Sequence, residues 1–411
     1  MSYDHRTWSI GSSSLLMNIL HIIASVDPAD GGPIEGIIRQ WQGLDDQLNG
    51  EIVSLDPPDA PFLVNFPLKT HALGVRPYKK RSRSKLSRFG YTPLFVPWLR
   101  EHADDYDLIV VNGLWSYASV GAARVLPRLN VPYVVYPHGM LDPWFRRTYP
   151  IKHALKQVLW WLFEGRLLHH AFSALFTTQE EMALAEGQFH GHHYQGRVVN
   201  YGTIDPPRKT NAQFAAFRAQ VPELGNRPYI LFLGRIHPKK GCDLLIRAWA
   251  ALSDDLEELD LVIAGPDQTG LAKNLQLLAA QLGIDKRVHW PGMLTGAAKW
   301  GAFRGAEAFI LPSHQENFGI AVAEALACGT PVLISDKVNI WREIKGDHAG
   351  LVASDDQAGV EHLLRDFLSM DAEAKLAMRN AARKCFSSRF DLSSSAGDAF
   401  KNLIASAKKA A

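Results

Sequence analysis

The sequence predicts an α/β protein made of two doubly wound, parallel-sheet domains that face each other across a cleft. Three observations predict it. At 411 residues the chain is too long for a single hydrophobic core. Short apolar runs alternate with helical patterns in two separate series, the signature of parallel strands joined by right-handed crossovers. A polar stretch with four prolines, residues 203–228, divides the two series.

The first series opens after a small, polar N-terminal stretch with MNILHIIAS (17–25), which reads as a buried strand, and the loop VDPADGGP. IEGIIRQWQGL (34–44) has helical spacing. EIVSLD, LIVVNG (108–113), YVVYPHG (133–139), ALFTT (174–178) and RVVNYG (197–202) are further strand-like runs closed by turn residues. Between them, IKHALKQVLWWLFEGRLLHH (151–170) predicts a helix with Leu155, Leu159, Leu162 and Leu167 on one broad apolar face, and Trp160 and Trp161 in the core, with contact to an acceptor or a membrane as the alternative. The second series comprises YILFLG (229–234), LDLVIAG (259–265), RVHWPG (287–292), EAFILPS (307–313), PVLIS (331–335) and AGLVAS (349–354), with helical patterns in every gap. The expected division is residues 1–205, 206–385, and a C-terminal helix over 386–411 that packs back toward the first domain.

Composition narrows the function classes. Apolar content of 47% and charged content of 21% describe a globular protein, and a formal charge of +2 supplies no global field for nucleic acid. Three widely spaced cysteines argue for a reducing compartment and against a disulfide framework or zinc site. The N-terminus lacks a signal-peptide pattern and no window has the apolar length of a membrane span, so a cytoplasmic address is expected.

In open α/β sheets ligands bind beyond the carboxyl ends of strands, which directs attention to LPSHQENFGIAVAEALACGTPVLIS (311–335). A helix is expected from Phe318 to Cys328, stopped by Gly329, and Glu324 is its one charged residue. A helix apolar all round is buried, so Glu324 needs a partner. The vicinal hydroxyls of a ribose would serve, and so would a protein cation. Glu316 lies eight residues earlier in the loop at the strand end. The helix start around Phe318, Gly319 and Ile320 offers free N–H groups of the kind that bind a diphosphate. In FLGRIHPKKGCDLLIRAW (232–249), Arg235, Lys239 and Lys240 place positive charge at another strand end, where it suits a diphosphate leaving group.

Together these segments resemble the family 4 glycosyltransferases, which have the GT-B fold of two facing Rossmann-like domains. Glu316 and Glu324 match that family's glutamate pair, and Gly234 to Gly241 its Gly-Arg-x-x-x-x-Lys-Gly pattern. The resemblance runs from about residue 17 to the C-terminus and is most specific over 229–335. It implies transfer of a sugar from a nucleotide-sugar donor, UDP-linked by preference and GDP-linked as the alternative, to a glycan or lipid-linked glycan acceptor in polysaccharide biosynthesis. It further implies retention at the anomeric carbon, no metal and no other cofactor. Glu316 and Asn317 would meet the sugar, Glu324 the ribose, and Arg235, Lys240 and the backbone of Phe318, Gly319 and Ile320 the diphosphate. Met293 and Leu294 would form the nucleobase edge, with Gly265 lining the same pocket. Gly31 and Gly32 match a glycine loop, and His138 a histidine that faces the donor sugar. Many relatives carry a histidine where this chain has Asn112, so acid–base chemistry is not expected there.

An epimerase or phosphorylase on the same fold, and a sugar-nucleotide-binding protein without turnover, are the competing readings. A dehydrogenase is disfavoured because no strand is followed by Gly-x-Gly-x-x-Gly. The basic segment Lys79–Arg88 suits an anionic membrane face, an acceptor's pyrophosphate or a solvated loop. His190, His192 and His193 lack the carboxylate or cysteine neighbours of a metal site.

Overall fold

The computed structural model describes residues 17–28, 32–42, 48–77, 89–199, 201–267, 270–392, 401–407 and 409. The basic segment Lys79–Arg88 lies outside the described residues. Among those described, thirteen strands form two all-parallel sheets. The first contains β1 (Met17–Ile23), β2 (Leu48–Ser54), β3 (Lys69–Ala72), β4 (Leu108–Asn112), β5 (Tyr133–Tyr136), β6 (Ser173–Phe176) and β7 (Gly196–Val198) in the order 3-2-1-4-5-6-7. The second contains β8 (Tyr229–Leu233), β9 (Asp260–Ala264), β10 (Val288–Gly292), β11 (Ala308–Leu311), β12 (Val332–Ser335) and β13 (Gly350–Ala353) in the order 10-9-8-11-12-13.

Apolar runs become central strands because both faces of a parallel sheet are covered by helices. All five residues of β4 and of β9 are buried. β3, which the sequence did not signal, is a four-residue strand with no fully buried residue, held by backbone pairing such as Ile52 with Thr70. It lies at the edge of its sheet, where apolar alternation is not required.

Each sheet reverses its strand order once, between β1 and β4 and between β8 and β11. Crevices at such switch points hold ligands. The chain crosses between domains at two adjacent places, where Thr203 pairs with Asp391 and the Thr203 N–H donates to the Phe390 carbonyl at 3.0 Å. Beyond the second crossing, Leu403, Ile404 and Ala407 pack into the first domain with Ile19, Val110 and Val134.

One predicted element is corrected. Residues 151–170 are three pieces: an α-helix Pro150–Leu159, a π-helical turn Trp160–Glu164 and an α-helix Gly165–His170. Trp160 and Leu167 are buried, but Leu155, Leu162 and Trp161 are exposed. The apolar stripe of Leu155 and Leu162 therefore does not pack into the core, and the π-helical turn points Trp160 and Glu164 inward.

Candidate functional site

The loops that follow β8 and β11 form the floor of the crevice in the second domain. They are tied together by the His314 N–H, which donates to the Lys239 carbonyl at 2.8 Å. The backbone of Glu316 is fixed on the other side. Its N–H donates to the Lys337 carbonyl at 3.0 Å, and its carbonyl accepts from the Asn339 N–H at 3.1 Å. On this scaffold the Lys240 ammonium forms an ion pair with the Glu316 carboxylate. Lys239 donates from Nζ to Gln315 Oε1 at 3.0 Å, and Arg235 is exposed beside them.

Burial and the neighbouring Lys239 and Arg235 hold the Lys240 ammonium well below the ordinary lysine range. Burial and Arg235 bring Lys239 down to about 8, against the opposing pull of Asp142. Three cations so close together make a basic floor suited to an anion.

The helix after this loop runs Ile320–Ala327, two residues later than the sequence suggested, because Gly319 occupies the N-cap with φ of 81°. That N-cap lies three residues after Glu316, the ion-pair partner of Lys240, and the first turn leaves N–H groups without intrahelical partners. Phe318 contributes backbone there. Its ring is buried against Tyr201 and Phe390, at centroid distances of 5.0 and 5.5 Å.

Glu324 is 3% exposed, and its Oε1 accepts from Arg39 Nη2 at 2.8 Å and Lys299 Nζ at 2.6 Å. The protein-cation alternative is thus the arrangement of the protein by itself. Arg39 comes from the helix Gly32–Gln42 of the first domain, so the pair bridges the cleft. Arg39 Nη1 is buried and has no hydrogen-bond partner among the described residues.

The opposite wall comes from the ends of β1, β4, β5 and β6. His138 follows β5 with φ of 50°, and its ring stacks on Tyr136 at 5.2 Å. Its Nε2 lies 3.1 Å from Asn112 Oδ1, which fixes Nε2 as the protonated nitrogen. Burial pulls His138 down to about 4, and burial with His138 nearby pulls His21 down to about 3. Both imidazoles are therefore neutral at pH 7. Glu181, held above the ordinary carboxylate range by burial, accepts from the Gly139 N–H at 2.7 Å and from Thr177.

The two walls touch. Asn317 donates from Nδ2 to Thr177 Oγ1 at 3.3 Å, and Gln315 donates from Nε2 to Asp142 Oδ2 at 3.4 Å. A Cβ on Gly139 would lie 3.0 Å from Asn317 Cβ, so a side chain there would push the walls apart.

The structure brings His138, Arg235, Lys240, Glu316, Asn317, Gly319, Ile320 and Glu324 to the loops that border one cleft. Gly265 follows β9, where a Cβ would sit 1.8 Å from the Gly234 carbonyl oxygen. Close backbone packing is reason enough for that glycine. Met293 is 62% exposed, whereas Leu294 is buried. Gly32 begins a helix, and Gly31 lies outside the described residues. His192 and His193 contact the carbonyl of Trp161 and the ring of His169. No group of three potential metal ligands occurs among the described residues. Sequence reasoning missed Arg39, Lys299, Gln315, Glu181 and His21. Arg39 lies 285 residues from Glu324, and no local pattern marks it.

Two facing sheets of this order, with a basic, helix-capped crevice at the switch point of the second, define the GT-B class of glycosyltransferase architecture. Residues 213–385 match the family model described as glycosyl transferases group 1, and residues 31–202 match the glycosyl transferase 4-like domain. The chain belongs to this glycosyltransferase family.

Among curated proteins it resembles D-inositol 3-phosphate glycosyltransferase of Streptomyces coelicolor, 38% identical over 40% of this chain and 38% of that protein. The counterpart from Streptomyces scabiei is 38% identical over 53% of this chain and 51% of that protein. The chain thus matches between about two-fifths and half of the length of these relatives. Among solved structures it resembles sucrose-phosphate synthase from Thermosynechococcus elongatus, with a TM-score of 0.74 and 20% identity over 95% of this chain and 100% of that one. It also resembles Anabaena HepE in complex with UDP and glucose, with a TM-score of 0.75 and 18% identity over 95% and 100%. At these identities the structural likeness speaks for the fold.

Proposed function

We propose that the protein transfers a sugar from a nucleotide-sugar donor, UDP-linked by preference, to a glycan or lipid-linked glycan, with retention at the anomeric carbon. The observation that carries this reading is the Lys240–Glu316 pair beside Arg235 and the N-terminus of the helix Ile320–Ala327. Lys240 and Arg235 would stabilise the departing diphosphate, together with the first-turn N–H groups. Glu316 would exchange Lys240 for sugar hydroxyls as the donor enters. Glu324 would turn from its shared cations toward the ribose.

His138, neutral and fixed by Asn112, would donate or accept a hydrogen bond at the sugar without carrying charge. The cations and the helix dipole would do the work a metal does elsewhere, so no metal or other cofactor is required. Retention would proceed by same-face attack, with the leaving phosphate accepting the acceptor's proton. The site would work on the cytoplasmic side of the membrane, where nucleotide sugars are found. The structural neighbour solved with UDP and glucose supports the donor class.

Thermal-shift screening against UDP, GDP, ADP and their sugars tests the donor, since a bound ligand stabilises the folded state. Glu316→Gln is expected to abolish transfer while nucleotide affinity stays within about twofold of wild type. An equal loss of nucleotide affinity would remove Glu316 from its role at the sugar.

A further inference from the structure

We infer that the helix Pro150–Leu159 and its π-helical continuation form an interfacial anchor that lays an apolar face on an anionic lipid bilayer. Not one residue of Pro150–Leu159 is fully buried. Ile151, Leu155, Val158 and Leu162 are 79%, 65%, 48% and 55% exposed. Their spacing of four, three and four residues sets them on one stripe. Trp161 and Tyr149, 51% and 41% exposed, add aromatic rings of the kind that settle at a membrane–water boundary.

Fourteen large apolar side chains are exposed among the described residues, and six of them fall within 149–162. Surface apolar residues are normally scattered, so this concentration marks a face that is covered in use. The helix does not need that face for its own stability. Beneath it, Trp160 is buried, and the buried Glu164 accepts from the Trp115 N–H at 2.9 Å and Ser119 Oγ at 2.8 Å.

Charge selects the occupant. From Pro143 to Phe163 there is no Asp or Glu, while Arg146, Arg147 and Lys152 are exposed along the same segment and Arg166 follows it. A second copy of this chain would bring cations against cations in a two-fold contact. Anionic headgroups complement the cations, and the acyl boundary takes the apolar stripe.

The anchor also starts at the cleft. Asp142 caps the preceding helix through the Trp144 N–H at 2.7 Å and accepts from Gln315 of the opposite wall. Docking would bring the cleft beside the bilayer, where a lipid-linked acceptor resides. That consequence rests on the proposed transfer reaction, whereas the docking does not.

The test is co-sedimentation of the full chain with phosphatidylcholine vesicles, with and without phosphatidylglycerol. Wild type is expected to bind the anionic vesicles and to be released by high salt. Ile151→Ser/Leu155→Ser/Leu162→Ser should lower binding by more than about tenfold, with unfolding midpoint and nucleotide affinity unchanged. Trp161→Phe should remove part of the blue shift in tryptophan emission that vesicles induce. Three results would overturn the inference: wild type failing to sediment with anionic vesicles, the triple variant sedimenting like wild type, or a wild-type dimer that the triple variant converts to monomer. Vesicle binding without nucleotide binding would refute the transfer reading and leave the anchor standing.

Discussion

The two walls of the cleft share one topology and divide the work. Both are loops at the switch point of a sheet with the order 3-2-1-4, counted within each domain. The second-domain wall concentrates charge in Arg235, Lys239, Lys240 and Lys299, with Glu316 and Glu324 as their anions. The first-domain wall centres on a buried, neutral row of His21, Asn112 and His138, joined by hydrogen bonds, and its charged groups, Asp142 and Arg39, point across to Gln315 and Glu324. Identical frameworks therefore do not give identical chemistry. In the proposed reaction the second wall would hold the anionic diphosphate, and the first would orient the uncharged sugar.

If that division is correct, the largest effect comes from the charged wall. Lys240→Ala should lower the rate of donor-dependent transfer by about 30- to 150-fold, equivalent to roughly 2–3 kcal/mol of charge-assisted hydrogen bonding. His138→Gln should cost less than that. A greater loss in steady-state kinetics from the histidine variant than from the lysine variant would break the comparison.

The bridge between the walls comes next. Arg39→Ala leaves the buried Glu324 with Lys299 alone, and urea denaturation should show a loss of about 1.5–3 kcal/mol. An unchanged stability would mean that the cross-cleft pair has no energetic role.

Acidification probes the neutral wall. His138 has a folded pKa of about 4 against an ordinary 6.5, so the unfolded chain takes up its proton first as pH falls. The stability this group contributes is complete above pH 6.5 and is lost as pH drops toward about 4. Unfolding midpoints measured from pH 7 to pH 4.5 should fall, and His138→Gln should flatten part of that slope.

The smallest effect has the opposite sign. Burial pushes Glu164 up to about 7 from an ordinary 4.5, so its contribution is complete below pH 4.5 and is lost as pH rises through 7. Relative to wild type, Glu164→Gln should gain stability over that interval, because the amide keeps the Oε1 acceptor for Trp115 and Ser119 without becoming charged.

Much of this was legible in the residues. Twelve of the thirteen strands follow from apolar runs ended by turn residues, since a strand buried on both faces has few alternatives. β3 was not legible, because an edge strand with a half-solvated pattern carries no such run. At the site, Arg235 and Lys240 were signalled by positive charge beyond a strand end, and Glu316 mainly by the family resemblance. Glu181 was not, because it acts from the first turn of the helix Gln179–Ala185 and reaches Gly139 only through the fold.

Two apolar helices show where the sequence stopped. Ile320–Ala327 was read as buried because it is apolar all round, whereas Pro150–Leu159 was read only as carrying one broad apolar face, which local pattern does not place. Strand order buried the first between sheet and neighbouring helices, and supplied Arg39 and Lys299 to Glu324. The same ordering left the second on the outside of its domain, with Ile151, Leu155 and Val158 in solvent. Sequence determined the identity and spacing of the elements because hydrophobic periodicity is a local property of the chain. Which apolar face was covered, and which cation met the buried carboxylate, depended on contacts between residues far apart in sequence, and only the tertiary structure decided those.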